Sequence, residues 1–396
     1  MMAGLSASVR ATTDRVQRWR DDRLADSRHG DRVAAILGIA LGVAFFVSFI
    51  TGLLSHLIQH PPSWFEWPAR PAGLYRVTQG LHVATGIASV PLLFAKLWSV
   101  FPRLFQWPFA TNWVHLLERL SLVPLVGGAI FLLITGVANV ELWYPWLFFV
   151  PSAHYAIAWV TMGSLFIHVV AKINISRRVL WPNALTDSAD DITDRQSDPQ
   201  GRRRFLTVVG ASSAALVIAT VGQTVSPLRR LSLLAPRRPD VGVQGFPVNK
   251  TAIEAGVVDT AQAADYTVTV ESKGKVLRVF TIDEIRAMPT RTATLPIACV
   301  EGWSANRTWT GVPLRSLIEQ AGVEQAREVT VESLQRGGRY RRSIVFSDQL
   351  GDDDTLLALL VDGEPLAADH GFPIRLIGPN RPCVLQTKWV TTLVIR

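Results

Sequence analysis

Five uncharged stretches, each long enough to cross a bilayer, constrain this chain more than any other feature of its sequence. A membrane-spanning helix needs about 20 mostly apolar residues, and it satisfies its backbone hydrogen bonds internally. The stretches are Val33–Ser55, Val77–Ala95, Leu120–Val140, Ser152–Ala171 and Phe205–Leu228. The first part of the chain is therefore predicted to be an all-α transmembrane four-helix bundle with a fifth anchor helix.

The distribution of charge predicts the orientation of these helices. The net charge is +8, but residues 1–239 hold 23 basic and 13 acidic residues, whereas residues 240–396 hold 17 and 19. The basic excess accompanies the apolar part, which favours membrane topology over a nucleic-acid surface. Seventeen of the 23 basic residues lie in 1–32, 96–119 and 172–204, so these segments are predicted to be cytoplasmic.

The same segments predict the domain organisation. The expected parts are a basic tail (1–32), a four-helix membrane domain (33–175), a linker (176–204), the fifth helix (205–228), a second linker (229–244) and a C-terminal domain (245–396). The run Gly-Arg-Arg-Arg-Phe-Leu at 201–206 resembles a twin-arginine export signal, which serves folded, cofactor-loaded proteins. An ordinary block of positive charge before a helix is the alternative. The C-terminal domain is predicted outside the cytoplasmic membrane.

Histidines inside the apolar stretches indicate a cofactor, because polar residues in membrane helices are costly. His82 lies in the second stretch, and His154 and His168 lie fourteen residues apart in the fourth. That spacing places the two on about the same helix face, separated by about 21 Å of rise. It suits two stacked b-type haems held between facing helices. His82 and His154 are predicted to bind the outer haem, with His56 as the alternative ligand.

An inner haem needs a partner for His168. His115, just before the third stretch, is preferred, and His29, just before the first, is the alternative. The pattern resembles the membrane cytochrome b subunits of formate dehydrogenases and hydrogenases over roughly residues 30–175. Those subunits carry an inner-haem histidine early in their first span, where this chain has Val-Ala-Ala at 33–35. One or two b-type haems are therefore expected.

The pattern changes after residue 245, where alternating apolar and polar residues predict strands between short helices. Such a mixture indicates an α+β domain. The predicted strands are Tyr266–Val270, Val276–Phe280, Val329–Ser333, Ile374–Ile377 and Trp389–Ile395, and the predicted helices are Ile282–Met288 and Leu314–Ala321.

The motifs that indicate a reactive site lie around Cys299, which is predicted at the edge between a strand and a loop. Cys-Val-Glu-Gly-Trp-Ser occupies 299–304, and Trp-Thr-Gly-Val-Pro-Leu occupies 309–314. These strings resemble the molybdenum-cofactor domain of the sulfite oxidase superfamily, and more closely the catalytic subunit of periplasmic methionine sulfoxide reductase. The resemblance covers about residues 245–396. It implies that Cys299 is the thiolate ligand of molybdenum, a role that a soft anionic thiolate suits. It also implies that Trp303 lies beside a molybdopterin, whose two sulfurs and additional oxo or hydroxo groups are the other ligands.

A second motif agrees with this resemblance. In the sulfite oxidase family a His-Gly-x-Pro-x-Arg string, with a lysine thirteen residues further on, binds the pterin phosphate, and His370, Arg375 and Lys388 match both spacings. An arginine fork and a lysine point charge are a suitable pair for a phosphate. The resemblance also implies cofactor contacts for Arg381 and for Asn249, which ends a string similar to the family's entry segment.

Candidates for a direct part in the reaction come from the same region. Glu301 is predicted to be a proton donor or a structural hydrogen-bond acceptor. Arg307 is the candidate to approach the metal, and Arg336 and Arg339 are alternatives. Cys383, the second of only two cysteines, is expected to be a free structural thiol.

Together these features predict a membrane-anchored molybdenum-cofactor oxidoreductase. It would transfer an oxygen atom to or from a small-molecule substrate, by sulfoxide or N-oxide reduction or by oxidation of sulfite type. Electrons would pass through b-type haem to or from the quinone pool or another membrane carrier. The alternative is a metal-free, membrane-tethered binding or sensory protein with a degenerate molybdopterin fold. A transporter is least favoured, because the first four stretches lack acidic residues.

Overall fold

A computed structural model describes residues 14–19, 29–105, 112–180, 198–221 and 225–396. The chain forms two compact units, one combining residues 1–50 with 82–219 and the other combining residues 51–81 with 220–396. Much of the predicted basic tail and of the first linker lies outside the described residues. The domain boundaries expected from the sequence therefore stay predictions.

Five long helices occupy the first part of the described chain, as predicted. They are α1 (Asp31–Gln59), α2 (Leu74–Val100), α3 (Trp113–Val140), α4 (Val150–Leu180) and α5 (Pro199–Val221). All five are long and apolar enough to cross a membrane. The third begins earlier than predicted because the Asn112 side chain caps it, accepting a hydrogen bond of 2.8 Å from the His115 backbone N–H.

The predicted end of the fifth helix at Leu228 is wrong. The helix ends at Val221, and Ser226–Leu231 forms a separate 3-10 turn with Pro227 in its first positions. A proline has no backbone N–H to donate, so it does not continue an α-helix but is tolerated at the start of a new turn. The anchor helix is therefore shorter at this end than the apolar stretch in the sequence.

Small and apolar residues pack the helical unit. Leu41 and Phe45 of α1 form a cluster with Leu93 of α2 and Ala129 of α3, against which residues of α4 also pack. At Gly128 of α3 an added Cβ would lie 2.2 Å from Thr161 Oγ1 of α4. Small residues at such crossings let membrane helices approach closely, because association there depends on packing.

The C-terminal part folds into two five-stranded sheets joined by short helices, consistent with the predicted α+β domain. One sheet has the order β2-β1-β10-β5-β6, and the other has the order β3-β4-β7-β8 with β9 paired to β7. The strands are β1 (Thr267–Ser272), β2 (Lys275–Thr281), β3 (Arg291–Ala298), β4 (Ser304–Pro313), β5 (Glu328–Ser333), β6 (Arg342–Phe346), β7 (Leu356–Val361), β8 (Glu364–Pro365), β9 (Arg375–Ile377) and β10 (Val390–Ile395). The helices are α6 (Ala252–Ala255), α7 (Val258–Ala261), α8 (Ile282–Ala287), α9 (Leu314–Gln320) and α10 (Ser347–Leu350).

All five predicted strands and both predicted helices are present, but the sheet that carries Cys299 was largely missed. Strand β3 contains Pro296, a residue that argues against a strand unless the strand lies at a sheet edge, where β3 does lie. Strand β7 is a continuous apolar run, which periodicity does not distinguish from a helix. Tertiary pairing, rather than local pattern, defines both strands.

The segment between α1 and α2 belongs to the same unit as the sheets. Trp67 Nε1 donates to the Asn380 carbonyl at 3.0 Å, and the Tyr75 backbone N–H donates to Asn380 Oδ1 at 2.6 Å. Arg70 Nε donates to Asp352 at 2.7 Å. Asn380 has a left-handed backbone with φ of 55°. The contacts thus fasten residues 67–75 to the loop that precedes Arg381.

Candidate cofactor sites

Cys299 follows strand β3 directly and is only 1% exposed. Its backbone N–H donates to the Trp303 carbonyl at 2.9 Å, and Gly302 N–H donates to the Cys299 carbonyl at 3.1 Å, so residues 299–303 form a tight turn. Asn249 Nδ2 donates to Cys299 Sγ at 2.9 Å. An amide donor at this distance favours the thiolate form of the sulfur.

The second cysteine lies in the same site, although the sequence indicated only a structural thiol. Cys383 Sγ is 3.9 Å from Asn249 Nδ2, and both cysteines are free thiols. Burial raises the pKa of Cys299, and the neighbouring Cys383 and Glu301 raise it further. A cation is therefore needed to hold Cys299 as a thiolate, which is what a bound metal does.

Glu301 is engaged with two neighbours beside this turn. Trp303 Nε1 donates to Glu301 Oε2 at 3.0 Å, and Arg237 Nε lies 3.2 Å from the same oxygen. Burial raises the pKa of Glu301, against the opposing effects of Arg237 and Trp303. These contacts favour the role of structural hydrogen-bond acceptor for Glu301 over that of proton donor. Sequence reasoning missed Arg237, because no local pattern links it to Glu301, which is 64 residues further along the chain.

Arg375 and Lys388 are brought side by side by an antiparallel bridge between their backbones. Arg375 is 2% exposed; its Nη1 donates to the His370 carbonyl at 3.1 Å, and its Nε has no hydrogen-bond partner. Lys388 Nζ donates to the carbonyls of Lys250 at 2.6 Å and Asp369 at 2.7 Å. Within the described ranges neither cation has a carboxylate oxygen within 4.0 Å. Two neighbouring cations without a carboxylate partner favour the binding of an anion.

Gly371 permits this arrangement. Its φ is +110°, and an added Cβ would lie 3.1 Å from Lys388 Cβ and 3.2 Å from Arg375 Cβ. A side chain at this position would therefore strain the backbone and push the two cationic segments apart. This explains in physical terms why glycine follows His370 in the motif.

His370 is not a third cation of the site. Its Nε2 donates to the Val243 carbonyl at 2.7 Å, and its ring stacks on Phe246 at 3.7 Å between centroids. Burial, and then the charge of Arg375, lowers the pKa of His370 to about 3. At neutral pH His370 is uncharged, so the positive charge comes from Arg375 and Lys388.

The other two predicted arginines hold backbone segments. Arg381 is buried and donates to the Leu385 carbonyl at 2.9 Å and the Ile344 carbonyl at 3.0 Å. Arg307 donates to the Gly245 carbonyl, and its Nη1 lies 3.6 Å from Asp362. The structure thus places Arg307 on the segment that leads to Asn249. Their assignments to the cofactor and to the reaction remain predictions.

The C-terminal site fits a molybdopterin. Three buried N–H donors of this region lack a hydrogen-bond partner, namely Arg307 Nε, Trp309 Nε1 and Arg375 Nε. An unpaired buried polar group costs about 1–3 kcal/mol, and more when it is charged. An anionic ligand with several acceptors satisfies such groups. In the part of the chain that is described, no three His, Cys, Asp or Glu side chains gather as a metal site, so a metal at Cys299 needs ligands from a cofactor.

In the helical unit, His82 and His154 face each other with ring centroids 6.3 Å apart. With metal–imidazole bonds of about 2 Å, two rings on one metal ion have centroids roughly 6 Å apart. His82 Nδ1 is 2.8 Å from the Ser48 carbonyl, and His154 Nδ1 is 2.8 Å from Thr135 Oγ1. Since each Nδ1 contacts an oxygen, iron would be bound through Nε2, with the oxygens orienting the rings.

The remaining histidines are arranged differently. His56 stacks on His60 at 4.8 Å between centroids. Arg119 Nε is 3.4 Å from His115 Nε2. His168 Nδ1 and His29 Nε2 are buried ring nitrogens without a hydrogen-bond partner. The inner-haem ligand pair stays a prediction. Like His168 Nδ1, His29 Nε2 is a buried nitrogen without a hydrogen-bond partner, as expected of a metal-ligand position.

Comparison with known proteins agrees with the C-terminal geometry. Residues 255–396 match the family described as oxidoreductase molybdopterin binding domain. This part of the chain is a molybdopterin-binding oxidoreductase domain. The matched residues include all ten strands of the α+β fold, Cys299 and the Arg375–Lys388 pair.

Several proteins are similar to parts of the chain. Mitochondrial sulfite oxidase of Drosophila melanogaster is 30% identical over 156 residues, covering 33% of this chain and 27% of that protein. The putative protein-methionine-sulfoxide reductase subunit YedZ1 of Azospira oryzae is 28% identical over 163 residues, covering 41% of this chain and 61% of that subunit. The solved sulfane dehydrogenase SoxCD of Paracoccus pantotrophus is 25% identical, with a TM-score of 0.30, over 33% of this chain and 38% of its own. In each case this chain spans less than two thirds of the relative's length.

Replacing Gly371 by alanine is expected to abolish molybdenum loading of the oxidoreductase domain. The added Cβ would separate Lys388 from Arg375 at the anion site. Metal content of purified protein from a molybdenum-replete host measures the effect. Gly363→Ala is the matched control, because Gly363 also has a positive φ of 88° but has open space around its Cβ position. Equal metal content in Gly371→Ala and wild type would contradict the expectation.

Anion binding to cofactor-free protein is expected to weaken as pH rises through about 7. Burial, and then Arg375, lowers the pKa of Lys388 to about 7, so Lys388 loses its charge in this range. Because an anion binds the protonated form, the affinity decreases by at most about tenfold per pH unit above that value. Calorimetry with pyrophosphate at about pH 6 and about pH 8 tests this. Lys388→Arg, which stays charged, should lose this component of the pH dependence.

Proposed function

We propose that this protein is a membrane-anchored molybdenum-cofactor oxidoreductase that reduces a small sulfoxide or N-oxide, using electrons from the quinone pool delivered through b-type haem. The observation that carries the proposal is the buried site in which Cys299 accepts a hydrogen bond from Asn249, while Arg375 and Lys388 lie side by side without a carboxylate partner among the described residues. The helices cross the cytoplasmic membrane, and the oxidoreductase domain lies on its outer side.

The residues of the site divide into four roles. Molybdenum, when bound by Cys299 and the two sulfurs of the pterin, supplies two-electron oxygen-atom transfer. Asn249 donates to Cys299 Sγ and so stabilises negative charge on the sulfur. Arg375 and Lys388 bind the phosphate of the cofactor. Glu301, which accepts a hydrogen bond from Trp303, stabilises the Cys299 turn.

The charge beside Cys299 supports a neutral substrate over an anion such as sulfite. Arg237 is the cation that contacts the Cys299 turn, and Glu301 neutralises it at 3.2 Å. Arg375 and Lys388 are assigned to the cofactor phosphate. An anionic substrate would meet the Glu301 carboxylate without an uncompensated cation, whereas an S-oxide or N-oxide carries no net charge. The resemblance to the putative methionine-sulfoxide reductase subunit is in line with this choice.

The His82–His154 pair supports the haem. The two histidines come from facing helices, their ring separation suits axial ligation of one iron, and each Nδ1 is oriented by an oxygen. The metal-free sensory alternative is not supported, because it leaves the buried Arg375 Nε without a partner.

Cys299→Ser and wild type are to be compared for molybdenum content and for turnover. Wild type is expected to bind about one molybdenum per chain and to oxidise reduced viologen with a sulfoxide faster than it reduces ferricyanide with sulfite. Cys299→Ser is expected to lose turnover, because a hydroxyl is a harder and far less acidic ligand than a thiol. Wild type without molybdenum, or with sulfite oxidation as its faster reaction, would contradict the proposal.

Removal of one axial ligand is expected to remove the haem signal. Wild type should show a b-type α-band in its reduced-minus-oxidised absorbance difference spectrum, and His154→Ala should lose it, because iron keeps only one of two imidazoles. His60→Ala is the control, since His60 stacks on His56 and is not one of the proposed ligands. An unchanged difference spectrum in His154→Ala would refute the assigned pair.

A further inference from the structure

Gln79 connects the Cys299 turn to the helix that carries His82. We propose that Gln79 is the residue that couples haem iron at His82 to molybdenum at Cys299, so that electrons pass between the two cofactors along its side chain. The inference rests on the proposed function, because it requires both cofactors. Gln79 is a positioning and coupling residue: it ligates neither metal.

The first step of the path is a hydrogen bond to the peptide next to Cys299. Gln79 is 6% exposed, and its Nε2 donates to the Val300 carbonyl at 2.7 Å. Val300 follows Cys299 directly in the chain. One residue of backbone and one short hydrogen bond therefore join the Cys299 turn to the Gln79 side chain.

The second step runs along α2. Gln79 and His82 are three residues apart in this helix, and residues at this spacing share a helix face with Cβ atoms about 5–6 Å apart. His82 is held in turn by the contact between its Nδ1 and the Ser48 carbonyl at 2.8 Å. A continuous set of covalent and hydrogen bonds thus leads from Cys299 to the His82 ring.

The Gln79 amide is fixed in orientation as well as buried. Tyr75 OH donates to Gln79 Oε1 at 3.5 Å, so the carbonyl and amino ends of the amide have different partners. Tyr75 is itself buried, and its backbone N–H donates to Asn380 Oδ1 at 2.6 Å. A side chain held at both ends keeps one geometry, which a coupling path requires. Electronic coupling decays less steeply through bonds and hydrogen bonds than across van der Waals gaps.

The electron balance uses two single transfers. A membrane quinol is oxidised to the quinone, releasing two protons and two electrons. With both cofactors bound, electrons would pass one at a time from the haem site at His82 to the molybdenum site at Cys299. Two electrons and two protons taken up with a sulfoxide break its sulfur–oxygen bond and give a sulfide and one water. Gln79 binds no proton or oxygen atom in this sequence; it changes only the rate at which each electron moves.

The test measures intramolecular electron transfer in the full-length holoprotein by flash photoreduction. Gln79→Leu is expected to lower the haem-to-molybdenum rate constant by about tenfold, equivalent to about 1.4 kcal/mol in activation free energy. Molybdenum content, the haem difference spectrum and the haem potential are expected to equal those of wild type. Gln79→Glu is the second variant: it keeps the size and the acceptor for Tyr75 but replaces the donor to Val300, and it should slow transfer similarly.

Gln59→Leu is the matched control. Gln59 is another amide of the same unit; it donates to Ser55 and accepts from Tyr340, with no bond to the Cys299 turn. Its rate constant should stay near wild type. Wild-type rates in both Gln79 variants, or equal losses in Gln59→Leu, would overturn the inference while haem and molybdenum remain bound. Wild-type protein that lacks haem or molybdenum would instead overturn the proposed function, and the inference with it.

Discussion

The side-by-side burial of Arg375 and Lys388 is the interaction on which the C-terminal site depends. Two cations share a bridge between neighbouring backbones, and no carboxylate in the described residues lies close enough to pair with them. Burial opposes this charge, as the lowered pKa of Lys388 shows. A bound anion would compensate the two buried positive charges. Gly371 allows the segments that carry Arg375 and Lys388 to lie close together. The charge of this site therefore favours an anionic ligand.

The segment between α1 and α2 makes the oxidoreductase domain depend on residues far away in sequence. Asn380 receives the Tyr75 backbone N–H, and Gln79 reaches the carbonyl of Val300. Both contacts join loops that flank the cofactor site rather than strands of the sheets. Residues 51–81 therefore serve two purposes: they continue the apolar helices α1 and α2, and they contact the turn that carries Cys299.

The sequence predicted most of the C-terminal elements and supplied the candidate site residues, because both depend on short-range patterns. Alternation identified β1, β2, β5 and β10, and the Cys299 and His370 strings each occupy a few neighbouring positions. The residues that were missed have no local signal. Arg237 matters through Glu301, and Gln79 through Val300, and both partners are distant in sequence. The neutral state of His370 also has no local signal, because burial, which local sequence does not specify, lowers its pKa.

The sequence by itself determined the five apolar helices, the mixture of strands and short helices after residue 245, and the spacings of the cofactor motifs. Helix length, strand alternation and motif spacing are all properties of contiguous residues. Only the tertiary structure decided which side chains meet. It brought His82 to His154, placed Cys383 beside Cys299, and assigned Arg307 to the Gly245 segment. These outcomes depend on chain crossings and on burial, which alter distances and pKa values without leaving a mark in the local pattern.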